Sequence, residues 1–109
     1  MAAATAVTVH QNGNQQFGGV FSDVKTVTSV LDTVSIANGV ATTDTIAVPG
    51  VRLGDFVLAV SAATSLAGLV RTAYVSALGV VTLSTSNSTG VAVDLPSTVI
   101  KLVVASPTF

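Results

Sequence analysis

Few side chains in this 109-residue chain can do acid–base or metal chemistry. They are one histidine, His10, and five aspartates: Asp23, Asp32, Asp44, Asp55 and Asp94. General acid–base catalysis needs such a group held close to a second one. His10 lies in the run "HQNGNQQ", with no acid near it in sequence, and no G-x-S-x-G elbow presents a serine to it. A carboxylate pair would need two aspartates brought together by the fold, and Asp44 and Asp55 flank one turn, at Pro49-Gly50. The reading adopted here is plainer: each aspartate stands beside a turn or strand end and accepts a backbone N–H. There is no calcium-loop pattern and no histidine cluster, and the absence of cysteine excludes disulfides and thiolate metal sites. Asn87-Ser88-Thr89 fits the glycosylation pattern but reads as part of a Ser/Thr-rich loop. Gly13, Gly18 and Gly19 lack the flanking strand and helix of a phosphate cradle. The expectation is a chain that is not an enzyme and has no cofactor.

The elements that position these residues read as strands. There is no glutamate, and Val, Thr and Ser are abundant. Branching at Cβ restricts χ1 and suits a pleated strand. "ATTDTIAV" sets Ile46 and Val48 on one face, with Thr43, Thr45 and Ala47 on the other. "PGVRLG" turns the chain, with Arg52 exposed at the tip and Asp55 bonding the turn backbone. "DFVLAVSA" is a nearly continuous apolar run, expected to be covered on both faces. "LVRTAYVSA" alternates, so Arg71 shares a face with Leu69, Ala73 and Val75. Leu78-Gly79 makes a tight turn into "VVTLSTS". "TVIKLVVA" closes the domain with Ile100, Leu102 and Val104 on one face and Lys101 on the other. The segment from Asp23 to Ile36 is favoured as extended. A helix is its alternative, because Val24, Val27, Leu31 and Val34 recur at helical spacing. Asn38-Gly39 then marks a turn. The expected fold is all-β, a small β-sandwich or jelly-roll-like barrel of about six strands.

Residues 1–22 read differently from the domain at 23–109. "HQNGNQQFGG" is too polar to bury enough apolar area by itself. It is expected to form an extended N-terminal arm, with Phe17 and Phe21 as anchors. The candidate partner contacts are His10, Asn12, Phe17 and Phe21 on the arm and Arg52 at the corner.

Composition narrows the partners. Half the residues are hydrophobic and only 8% are charged, against about 25% in an ordinary soluble domain. The longest charge-free apolar segment, Phe56 to Val70, is interrupted by Ser61, Thr64, Ser65 and Gly68 and does not read as a membrane span. No basic stretch followed by an apolar core opens the sequence, so no signal peptide is expected. The charges are scattered singly, which argues against direct nucleic-acid binding. Self-association is the remaining account of the hydrophobicity.

One resemblance runs from Val40 to Ala105. It is carried by Val48-Pro49-Gly50-Val51, Leu53-Gly54-Asp55-Phe56-Val57, Tyr74-Val75-Ser76 and Gly79-Val80-Val81-Thr82-Leu83. Asn87, Gly90 and the closing strand from Val99 to Ala105 complete it. In these pieces, taken in order, the chain resembles small virion proteins of tailed bacteriophages: capsid cement or decoration proteins and related head-fibre bases. The resemblance implies a β-sandwich, commonly a homotrimer, seated on the outer capsid surface of the virion and bridging copies of the major capsid protein. Such a protein would be assembled in the host bacterial cytoplasm. No catalytic residue and no cofactor come with the resemblance. The alternative is a tail-fibre or head-fibre module that binds a host-surface glycan, for which Tyr74 and four phenylalanines are the only aromatic side chains.

Overall fold

The computed structural model describes residues 2–11 and 21–107. Among the described residues, eight strands form two four-stranded sheets. The first contains β1 (Ala2–Ala3), β4 (Ala41–Ala47), β7 (Val80–Ser86) and β6 (Val70–Ala77), in the order β1-β4-β7-β6. The second contains β2 (Thr5–Gln11), β3 (Phe21–Leu31), β8 (Thr98–Pro107) and β5 (Phe56–Ala62), in the order β2-β3-β8-β5. Every pairing is antiparallel except β1 with β4. No helix occurs among the described residues. The expected all-β sandwich is what forms.

Side-chain alternation places the core between the sheets. β3 and β8 turn Val27, Leu31, Ile100, Leu102 and Val104 inward, and β4, β6 and β7 answer with Ile46, Val75, Val81 and Leu83. Burying each such side chain is worth roughly 1.5–3 kcal/mol. Val48 and Val51, at the start of the connection from β4 to β5, complete this layer. A second, smaller cluster of Ile36, Leu69 and Leu95 lies beneath the loops at the opposite end.

The segment from Asp23 to Ile36 is a strand as far as Leu31, not a helix. Its register with β8 runs from Val24 opposite Ala105 to Leu31 opposite Thr98 without a slip. That long apolar partner outweighs the local helical spacing. Beyond it, Ile36 makes one antiparallel bridge with Val93.

Two strands exceed the expected six, and both come from the N-terminal stretch. Residues 2–11 lie in β1 and β2, and the boundary expected at residue 22 falls inside β3. The alternation of Val7 and Val9 supplies the reason, since both pack against the core. Phe17 and Asn12 lie outside the described residues.

β5 departs from expectation more instructively. It is an edge strand, and Phe56 and Leu58 are exposed. Its register shifts between Val57 and Ala59, so Leu58 is an extra, unpaired residue. The bulge reverses the side-chain parity, so Val57 and Val60, three apart, both pack on the core. The apolar run reflects a bulge and not burial on two faces.

Asp44 also departs from expectation. It is no turn residue. It sits mid-strand in β4, opposite Leu83, and is fully buried on the same face as Ile46.

Candidate functional site

Residues 48–55 carry the chain from the first sheet to the second, and they are held in a defined corner. The Arg52 N–H donates to Asp55 Oδ2 at 2.9 Å, and the Asp55 N–H donates to the Arg52 carbonyl at 3.0 Å. Asp55 is thus the expected turn acceptor. The corner is tied to the β6–β7 turn by two further bonds. The Val48 N–H donates to Gly79 O, and the Gly79 N–H donates to Val51 O, both at 2.9 Å. The two turns therefore lie side by side.

Each turn lifts a leucine into solvent. Leu53 is 70% exposed and Leu78 is 76% exposed. Each precedes a glycine with positive φ, Gly54 at 97° and Gly79 at 75°. Such a φ costs glycine little, and it holds the turn tight while the preceding side chain points outward. Sequence reasoning missed both leucines as contact residues. The signal was present: the dipeptide Leu-Gly occurs at the tip of both turns.

The base of the corner is fastened from below. Lys25 on β3 is 7% exposed, and its Nζ lies 2.6 Å from Asp23 Oδ2. Its Cε passes beneath Gly50, whose φ is +94°. Arg52, Leu53, Gly54, Asp55 and Pro107 border a shallow cavity of about 280 Å³. The strand register places two other candidate contacts. Phe21 stands opposite Pro107, and His10 stands opposite Thr26, one residue from the Lys25–Gln11 pair. So Phe21 lies beside the corner at one rim of the sandwich, whereas His10 lies five residues further along β3, at the far edge of the second sheet. The charges of the rim, Lys25 and Arg52 against Asp23 and Asp55, balance.

The opposite end is closed by a different device. The Asn87 side chain is 2% exposed. Its Nδ2 donates to the carbonyls of Ile36 and Val91, each at 2.8 Å. Its Oδ1 accepts the Thr89 N–H at 2.9 Å and the Thr89 hydroxyl at 2.7 Å. Both Nδ2 hydrogens are engaged, so a glycan on Asn87 is incompatible with this fold. Beneath this end, Arg71 Nε donates to Thr85 Oγ1 at 3.0 Å and its Nη2 donates to Thr33 Oγ1 at 2.9 Å. Burial lowers the Arg71 pKa below its ordinary value, and the negative charge of Asp44 opposes that shift. An open groove of about 600 Å³ is lined by Asp32, Thr33, Asp94 and their neighbours. No group of three or more His, Cys, Asp or Glu suited to a metal occurs among the described residues.

The outer face of the first sheet has its own character. Asp44 and Arg71, the only charged residues in its strands, both lie on the inward-facing register. Tyr74, 53% exposed, stands on the outer face between Thr72 and Ser76. The Thr82 hydroxyl bonds Ser76 Oγ there at 2.6 Å.

No family model matches the chain, and no significantly similar curated protein or solved structure was found.

Proposed function

We propose that this chain is a structural virion protein, a capsid cement or decoration protein of a tailed bacteriophage. In this reading it self-associates as a homotrimer on the outside of the head and bridges copies of the major capsid protein. The corner rim is the surface that docks on the shell. The observation that carries the reading is the pair of leucines at the two clamped turns. Large apolar side chains at turn tips gain nothing for the isolated domain, and they supply apolar anchors for a partner. Arg52, beside Leu53, adds a donor fork that suits carboxylates on a neighbour. The sparse charge of the chain agrees, because permanent interfaces are more apolar than ordinary surface. Many copies on one shell turn a modest affinity per site into durable decoration.

The test is co-sedimentation of the purified protein with empty phage heads. Leu53→Ser combined with Leu78→Ser should abolish co-sedimentation while leaving the mass of the free protein and its melting temperature unchanged. Full binding by the double variant would remove the rim from the reading.

A second reading rests on Tyr74. An exposed ring among hydroxyls on an uncharged face suits a neutral host-surface glycan, as in a tail-fibre or head-fibre module. Glycan-array binding that is lost in Tyr74→Ala, together with no affinity for heads, would favour it.

A further inference from the structure

The geometry points to β1 as an exchangeable strand: in the assembled protein, residues 2–4 of one copy pair with the β4 edge of a second copy. This rests on the oligomeric reading above and names the element that joins the copies.

Three observations carry it. The first is the state of the edges. β2, β5 and β6 each contain a register shift, between Thr5 and Thr8, between Val57 and Ala59, and between Val75 and Ala77. Bulges blunt a sheet edge against another strand. β4 has none. Its seven residues pair with β7 in unbroken register, and among the described residues its other side is covered only at Asp44 and Thr45, with one further bond from the Ala4 N–H to Thr45 O at 2.8 Å. A regular, receptive edge thus lies under a two-residue strap.

The second is the crossing that follows the strap. Ala3 pairs with Thr45 in the first sheet, and Thr5 pairs with Val30 in the second. Two residue steps reach at most about 7 Å, while face-packed sheets lie about 10 Å apart. The crossing is taut and pinches the two edges together. The third is Ala6, just beyond it, at φ 52°, a region that L side chains avoid. Ala6 belongs to the β2 bulge and fixes the direction in which the chain leaves the crossing. A short crossing next to a small strand favours exchange, because passing the strand to a neighbour removes the need to span the two sheets in two residue steps and keeps the same pairing.

The chain has no cysteine, which allows a clean test on the whole 109-residue chain. Ala3→Cys with Thr45→Cys places two thiols on facing residues of a parallel pair, within disulfide reach. After oxidation, a non-reducing denaturing gel reads the partner directly, and light scattering on the unmodified protein gives its mass. Exchange predicts covalent dimers and trimers that collapse to monomer on reduction. Inserting Gly-Ser-Gly between Ala4 and Thr5 relaxes the crossing and should move most of the bond back within one chain. A trimeric mass with only intrachain disulfide would overturn the exchange and leave the oligomeric reading standing. A monomeric mass with intrachain disulfide would overturn both.

Discussion

Asn87→Asp replaces one NH₂ group with one oxygen at constant volume, and the structure sets the cost. The Oδ1 contacts to the Thr89 N–H and hydroxyl survive the change. The two donations from Nδ2, to Ile36 O and Val91 O at 2.8 Å, become confrontations between oxygen atoms. Each carbonyl keeps a second donor, the Val93 N–H at Ile36 O and the Thr89 hydroxyl at Val91 O, both at 3.0 Å, so the penalty falls on the new side-chain oxygen, which is buried facing only acceptors. A buried acceptor with no donor costs about 1–3 kcal/mol, and more when it is charged. Both carbonyls favour the protonated acid over the carboxylate, so the variant's folded-state pKa lies above its unfolded value. The sign follows from linkage: a raised folded pKa gives stability present below the unfolded pKa and lost as pH rises through the folded one. Asn87→Asp should therefore be least impaired in acid, relative to the parent, and most impaired at neutral pH. With about 4–8 °C per kcal/mol for a domain near this size, a loss of about 3 kcal/mol lowers Tm by roughly 12–24 °C. Thermal melts followed by circular dichroism at pH 4 and pH 7, parent beside variant, read both effects. A neutral-pH variant within about 1 kcal/mol of the parent would refute the view that these two bonds close the loop end, given the usual cost of a buried carboxylate oxygen with no donor.

Gly50→Ala should cost about 1–3 kcal/mol in urea unfolding, because φ is +94° and the new Cβ would stand 3.2 Å from Lys25 Cε. Asp55→Ala removes the acceptor of the Arg52 N–H at an exposed corner. It should cost only about 0.5–1.5 kcal/mol in the same measurement, and under the proposed function it should reduce co-sedimentation with heads by loosening Leu53.

How far the sequence discloses this molecule depends on whether a signal is local. Alternation in "TVIKLVVA" disclosed the faces of β8, and the parity of "LVRTAYVSA" put Arg71 on one face with Ala73 and Val75, the face that the structure turns inward. Asp55 as a turn acceptor was equally legible, because an Asx bond closes within three residues. Asp44 was not read as buried, although it shares parity with Ile46, because a carboxylate in a core is uncommon unless the tertiary structure compensates it. The rule of two-residue parity was sound there, and a general preference for acids at turns displaced it. The bulge in β5 was illegible for a different reason. Whether an apolar run means two-sided burial or a parity break is settled by the register of β8, which no local window contains. Leu53 and Leu78 fall between these cases. Each Leu-Gly was visible, but the bonds that set the two turns side by side join residues far apart in the chain.

These features share one consequence. A chain with so few charges has little repulsion to keep copies apart, so its contacts must be restricted by geometry. Bulges on three edge strands reduce strand-to-strand pairing at those edges. The two charges of the first sheet are withdrawn into the interior, which leaves a face of hydroxyls that water solvates well. The loop end is fastened through Asn87, with every polar atom of its side chain bonded. Two places combine exposure with fixed geometry: the leucine rim, and the regular β4 edge beneath its strap. They differ in kind. The rim offers side chains and suits a partner of different shape, whereas the edge offers backbone and suits a strand. A protein that must bind its own copies and a foreign surface at once needs two such surfaces that do not compete. In this fold the strap engages one edge of the first sheet, through Asp44 and Thr45, while Leu53 and Leu78 stand on turns clamped to each other at the rim. Substitutions at the rim should therefore leave the oligomer unchanged, and relaxing the strap should leave the rim intact.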